Sequence, residues 1–377
     1  MSEVTLDPER QLQAKSYAHI SRRLMLVDLV IGALYALAWL VFGWSTELKE
    51  TLLYYTDSEW LLVAGFGLVF GGIYYLINLP LSYYSGYVLP HRFEMSTQDL
   101  KGWVIDQVKG LGVGVILGGL VLEIIYAVLR ISPDLWWLWA AGILLLFSVL
   151  LANIAPILLM PIFYKFAPLG EEHNELVERL VRLAERANTR VQGVFKFDMS
   201  RRTKAANAAL TGLGNTRRII LGDTLIEKFT TDEIETVLAH ELGHHVHKDI
   251  PVGMLVESLI TLIGLYLASL GLNWGVEVFG FEGPADIAAL PLFVLVIGAY
   301  SLVTMPLGNA FSRWRERRAD EYALRETGNG RAFASALTRL ANQNLADADP
   351  EPWVEYLLYS HPALSKRIAM AEAYNAE

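Results

Sequence analysis

Residues 230–272 read TTDEIETVLAHELGHHVHKDIPVGMLVESLITLIGLYLASLGL, a polar stretch with two regularly spaced histidines running straight into an apolar one. Thr230 followed by Glu233 has the spacing of a capping box, and Asp232 and Glu233 supply the acidic first turn that the helix dipole favours. Ile234, Val237, Leu238 and Leu242 recur at helical spacing, so the segment is predicted to be a helix. On it His240 and His244 stand one turn apart on one face, where two imidazoles can share a tetrahedral ion. Glu241 is rotated by one residue step from that face. It cannot easily join the same coordination set, but it can reach a water on the ion, the geometry of a general base in a zinc hydrolase.

A catalytic zinc takes a third protein ligand and keeps one position open. The longer motif that would supply a third histidine nearby is absent, because His247 and Ile250 stand where Gly and His are needed. The chain has no cysteine, which excludes thiolate ligands and a disulfide framework alike. The strongest candidate lies in Ser312-Arg313-Trp314-Arg315-Glu316-Arg317-Arg318-Ala319-Asp320-Glu321-Tyr322-Ala323. Glu316 and Asp320 are again four residues apart, with Ala319 and Ala323 small enough to let this helix approach the first. Glu316 is expected to coordinate the ion and Asp320 to hydrogen-bond a liganding imidazole. Taken alone the stretch also reads as a solvated face of i,i+4 salt bridges; a zinc site lacking an oxygen ligand favours the first reading.

Outward from these segments the chain is apolar. Of its 377 residues 53% are hydrophobic and 19% charged, with mean hydropathy +0.34, too greasy for an ordinary soluble domain. About 20 helical residues cross the roughly 30 Å bilayer core, and six runs meet that length: 24–44, 60–88, 109–129, 135–163, 251–272 and 288–310. The predicted organisation is an N-terminal segment (1–23), four spans (24–163), a zinc-peptidase domain (164–250), two spans (251–310) and a C-terminal helical part completing the site (311–377). The fold class is thus mainly α and integral to the membrane, with an α+β peptidase domain holding a small sheet. Arg10, Lys15, Arg22 and Arg23 precede the first span and Arg92, Lys101 and Lys109 the third, whereas 273–287 has no Lys or Arg. The positive-inside rule therefore puts the peptidase domain and both termini in the cytoplasm, in a multi-pass protein of the inner membrane. The first apolar run starts at Leu24 and ends on bulky residues, so it is expected to stay as an anchor rather than be cleaved. Net charge −9, with no basic arm, argues against nucleic acid.

The ordered set of motifs resembles the type I CAAX prenyl endopeptidase family, integral-membrane zinc proteases of gluzincin-like His-Glu-x-x-His type. It comprises Pro161-Ile162-Phe163-Tyr164-Lys165-Phe166-Ala167-Pro168-Leu169, Asn207-Ala208-Ala209 through Arg218-Ile219-Ile220-Leu221-Gly222-Asp223-Thr224-Leu225, the His240 to His244 helix, Glu316 to Asp320, and Tyr359-Ser360-His361-Pro362 with Arg367. The resemblance implies that His240, His244 and Glu316 bind one Zn2+ and that Glu241 is catalytic. It also implies a chamber enclosed by spans, seven in members that mature prenylated proteins against the six counted here. It makes His361 and Arg367 candidate catalytic residues, a cation near the zinc being able to stabilise an oxyanion; a His beside Pro equally reads as structural. The implied partners are the lipid bilayer and a peptide or protein substrate, the prenylated C-terminus being the class the family suggests.

Between the fourth span and the zinc helix, a charged helix near 170–188 and strands near 191–198, 205–211 and 217–222 are expected, the last two joined as a hairpin through 212–216. Asn207, Ala208 and Ala209 are placed on a sheet edge to which an extended substrate can add as a strand; an ordinary structural strand fits as well. His245 and His247 are assigned to the surface and Asp249 to a structural bond near the helix end. Asp28, Glu123 and Glu257 are ionisable groups inside apolar runs, facing a watery interior or paired near the interface. Two other functions stay open: a cytoplasmic-side quality-control protease for membrane proteins, and a transporter or scaffold with a structural metal.

Overall fold

A computed structural model gives the fold and describes residues 4–212 and 214–374; Leu213 of the expected hairpin turn lies outside them. In chain order, α1 (Pro8–Val41) leads through the short α2 (Trp44–Tyr55) to α3 (Glu59–Arg92), α4 (Leu100–Ile131) and α5 (Trp136–Phe163). Then come β1 (Phe166–Pro168), α6 (Asn174–Arg186), β2 (Val194–Phe197), β3 (Ala208–Thr211), β4 (Arg218–Gly222) and α7 (Asp223–Lys228). Helix α8 (Thr231–Val246) abuts α9 (Asp249–Phe279), which is followed by α10 (Ile287–Thr327), α11 (Gly330–Gln343), α12 (Pro352–Leu358) and α13 (Leu364–Tyr374).

Helices α1, α3, α4, α5, α9 and α10 are long and apolar enough to cross a membrane, the six the sequence predicts. All but α5 extend well beyond the apolar run that announces them. Helical hydrogen bonding does not stop where lipid stops, so the ends run on into polar surroundings. The consequence is largest in α10, whose 41 residues span about 60 Å at 1.5 Å each, twice the bilayer core. Its last third leaves the apolar part and carries Glu316 and Asp320 to the peptidase domain. Similarly, residues 8–23 are the first turns of α1 rather than a separate segment. They are tied to the C-terminal part, where the Asp7 amide donates to Asn342 (3.0 Å) and the Ala348 amide to Gln11 Oε1 (3.1 Å).

The sheet has order β1-β2-β4-β3, with β2 and β4 parallel and both outer pairs antiparallel. The expected hairpin is β3–β4, in register Ala208 opposite Leu221. The three-residue β1 has no sequence signal of its own and forms because Phe166 to Pro168 lies along β2. Two large apolar cores result, beside a small cluster of Ala14, Met95 and Leu345. One joins α6, the sheet, α8, α11 and α13 through Leu180, Ile219, Leu221, Leu238 and Phe333. The other gathers Trp39, Phe66, Tyr126 and Trp136 at the far end of the spans. Of the ionisable groups within spans, Asp28 is half-buried and accepts from the Tyr74 hydroxyl (3.0 Å) and Asn78 Nδ2 (2.6 Å), while Glu257 is exposed.

Candidate metal centre

Helix α8 starts on the predicted capping box: Thr230 Oγ1 accepts from the Glu233 amide (3.3 Å) and Glu233 Oε2 from the Thr230 amide (2.8 Å). Glu233 is buried, and its other oxygen accepts from the Ser335 hydroxyl (2.5 Å) and Arg339 Nε (2.8 Å) of α11. One carboxylate thus caps α8 and fixes it to its neighbour. Gly243, between the two histidines, lies against α10. A β-carbon there would stand 2.9 Å from Ala319 Cα and 3.1 Å from its carbonyl oxygen, closer than side-chain carbons approach. Ala319 and Ala323 are fully buried at this crossing. Glycine facing alanine is what lets the two helices come close enough for their polar side chains to meet.

They meet at one point. His240 Nε2 is 3.2 Å from Glu316 Oε2 and His244 Nε2 is 3.4 Å from Glu316 Oε1. One donor atom from each of the three residues lies within 4.8 Å of the others. Tetrahedral zinc with bonds of about 2.0–2.1 Å puts neighbouring donors about 3.3 Å apart, so the spacing fits such an ion. Glu316 Oε2 is also buried without a hydrogen-bond partner, an orphaned acceptor that a cation would satisfy. The far nitrogens of both rings face carboxylates: His240 Nδ1 is 2.8 Å from Asp320 Oδ1, and His244 Nδ1 is 2.9 Å from Asp249 Oδ2. Protons held at Nδ1 leave both Nε2 lone pairs aimed at Glu316.

The electrostatics point the same way. Burial pulls the His240 pKa down, but the Asp320 and Glu316 carboxylates outweigh it and raise it to about 9. At His244 burial is likewise overcome by Glu316 and Asp249. The carboxylates around each ring favour positive charge there, on the ring or on a cation held beside it. Burial pushes the Glu241 carboxyl up, with His240 and His244 drawing it partly back. That carboxylate accepts no hydrogen bond from another described residue, so it is free to serve a water or substrate.

The remaining expected residues divide. His361 reaches the cluster: its Nε2 is 3.3 Å from Glu316 Oε1, and its side chain is 58% exposed, at the mouth of the site. Burial lowers its pKa, opposed by Glu316. Arg367 is buried behind the cluster, and both hydrogen-bonding nitrogens are used on Asp320, at 2.8 and 2.6 Å. It therefore holds Asp320 under His240, and its Nη2 also lies 3.5 Å from His240 Nδ1. Asn207 directly precedes β3 and accepts from the Gly222 amide (2.8 Å), while Ala208 and Ala209 lie in that edge strand, which packs beside α8. His245 and His247 are half-buried rather than at the open surface. Asp249, assigned from sequence to a bond near the helix end, makes that bond to His244. Lys248, in the left-handed region at φ 56°, folds the chain back so that Asp249 points at the histidine five residues earlier. An acid just past a two-histidine helix is the signal that would have found it.

Two family models together cover nearly the whole chain. Residues 171–375 match peptidase family M48, and residues 3–165 match the CAAX prenyl protease N-terminal region of five membrane helices. The chain belongs to peptidase family M48. Within it the chain is a member of the type I CAAX prenyl protease group. It is 31% identical over 371 residues to an uncharacterized metalloprotease, YhfN, of Bacillus subtilis, covering 97% of this chain and 86% of the relative. It is 33% identical to CAAX prenyl protease 1 of Saccharomyces cerevisiae, covering 78% of this chain and 68% of that one. The crystal structure of S. mikatae Ste24p superimposes with a TM-score of 0.87 at 26% identity, covering 97% of this chain and 90% of the other. The chain is a membrane-embedded metalloendopeptidase; within residues 3–165, which match the family's five-helix N-terminal region, four helices are long and apolar enough to cross a membrane.

Proposed function

We propose that the metal is zinc, held by His240, His244 and Glu316, and that the enzyme cleaves peptides at the cytoplasmic face of a cell's inner membrane. The observation that carries this is the orphaned Glu316 carboxylate between two imidazoles whose other nitrogens already face acids. Among the described residues three side chains converge, and three protein ligands with a fourth position open are what a catalytic rather than a structural zinc uses. A set of two nitrogens and one oxygen suits zinc best.

When bound, zinc supplies Lewis acidity, polarising a scissile carbonyl and acidifying a water. Glu241 takes the proton from that water at its carboxylate and hands it to the leaving amine. His361 presents Nε2 on the open side; with Nδ1 accepting from the Ser360 hydroxyl, 3.0 Å away, the proton sits on Nε2 and donates to the developing oxyanion. Asp320 and Asp249 fix the two liganding rings, and Arg367 fixes Asp320. An extended substrate pairs with the free edge of β3 at Ala208 and Ala209, so backbone hydrogen bonds hold many sequences.

For the substrate, the likeness to CAAX prenyl protease 1 over 78% of the chain supports a C-terminally prenylated protein, with the lipid tail entering among the spans. The experiment is mass spectrometry of products from a farnesylated CAAX peptide, its unlipidated twin and an unfolded membrane protein. Faster cleavage of the farnesylated peptide supports the reading, while equal rates on all three point to general quality control. Glu241→Gln should abolish cleavage in each case and keep the metal; undiminished turnover refutes the assignment of the base.

A further inference from the structure

Asn309, Arg313, Glu316 and Asp320 follow one another on α10 at intervals of four, three and four, which places all four side chains on one stripe of the helix. The lower two belong to the site just described. The upper two do not touch it, yet both are used on the same short stretch of chain. Arg313 Nη1 donates to the Glu355 carbonyl at 2.9 Å and to the Tyr359 carbonyl at 2.6 Å. Asn309 Nδ2 donates to the Leu357 carbonyl at 2.7 Å. These are carbonyls of the last turn of α12 and the residue after it; that of Glu355 also accepts from the Tyr359 amide (3.3 Å), while those of Leu357 and Tyr359 are among the carbonyls a helix end leaves without intrahelical partners. Directly beyond them comes His361.

The other side of the loop is tied as well. Glu355, buried in α12, accepts from the Ala363 amide through Oε1 (3.1 Å) and from Lys366 Nζ through Oε2 (2.5 Å). Residues 359–363 are thus pinned at both ends while the His361 side chain remains 58% exposed. The ring itself is held by the Ser360 hydroxyl, 3.0 Å from Nδ1, and the two pins set the backbone from which Nε2 reaches Glu316 Oε1 at 3.3 Å. Because Arg313 and Glu316 are three residues apart on one rigid helix, the carbonyls held by the first stand at a fixed distance from the carboxylate of the second.

We infer that Arg313, assisted by Asn309, is a positioning residue: it uses α10 as a ruler to set His361 Nε2 against the metal centre. The inference rests on the oxyanion role given to His361 above. Losing the clamp leaves substrate pairing at β3 and the three metal ligands untouched, so it acts on turnover and spares binding. A misplacement of about 1 Å at a reacting group costs on the order of 100-fold in rate.

A double-mutant cycle on the full-length, metal-loaded enzyme tests it, with metal content measured in each variant. Arg313→Gln should lower kcat about 10- to 100-fold with KM within about two-fold. Arg313→Lys, whose ammonium can donate to both carbonyls, should recover much of the loss. In the His361→Ala background the same Arg313→Gln change should cost less than about three-fold, since the group it positions is gone. Hydrogen exchange at the Ala363 amide should speed up in Arg313→Gln at unchanged metal content. If Arg313→Gln does not fold, Asn309→Ala carries the same cycle with a smaller loss. Penalties that simply multiply would overturn the clamp and leave the role of His361 standing. Full kcat in His361→Ala would overturn both.

Discussion

The two ends of this molecule bury side chains by opposite means. At the site end, Glu233, His240, Asp249, Glu316, Asp320, Glu355 and Arg367 are all buried, and each carries hydrogen bonds or ion pairs to side chains or backbone of neighbouring elements. At the far end the core is Trp39, Phe66, Phe70, Tyr126 and Trp136, and its buried charge is Lys49 of α2, 3.0 Å from Asp286 before α10. Between them the spans expose apolar side chains such as Leu146, Val303 and Leu307, as lipid requires. Burying a charge is costly unless it is paired, so a dense network marks a place where stability has been spent on chemistry. The far end shows what these helices do when packing is the sole demand. Substitutions should therefore sort by end: chemistry and metal binding at one, stability alone at the other.

The largest effect should come from Glu241→Gln, which removes the base without removing a ligand: peptidase turnover falls by about 10³-fold or more while metal analysis still finds the ion. Loss of the ion with activity would break the distinction between base and ligand. Next, Asp249→Asn takes the carboxylate from His244 Nδ1, and metal affinity measured by chelator competition should drop about 10- to 100-fold. A change of less than two-fold would return Asp249 to the structural role its sequence position suggests. Gly243→Ala presses a methyl onto Ala319; it should loosen the crossing of α8 and α10 and lower both thermal stability and metal occupancy, read by a melt with and without added zinc. Smallest in catalysis should be Lys49→Met. It leaves the Asp286 carboxylate without its cation, so the melting temperature falls, yet kcat and KM at permissive temperature stay within about two-fold. Lost turnover in well-folded protein there would dissolve the contrast between the ends.

How far the sequence reached follows the same division. The six spans and the α8 helix were legible because long apolar runs and a capping box are local patterns. So was the i,i+4 pair Glu316 and Asp320, whose carboxylates the structure brings to His240. What was not legible depends on how elements are aimed. The ends of α1 and α10 could not be read, because hydropathy marks where lipid stops and helices here run on. The bond of Asp249 near the helix end was legible, but its partner His244 was not, because that aim depends on the left-handed turn at Lys248, a conformation lysine seldom signals. Arg367 could be read as a cation near the site, but only the structure shows its guanidinium on Asp320, 47 residues away in sequence.

The central claim is that two imidazoles of α8 and one carboxylate of α10 hold a single ion. Anomalous diffraction at the zinc edge, on crystals of Glu241→Gln protein purified without added metal, tests it most directly. The account predicts one peak per chain, bonded to His240 Nε2, His244 Nε2 and Glu316, and its disappearance in a Glu316→Ala partner. A peak held by other residues, or one that survives the loss of Glu316 undiminished, would contradict it.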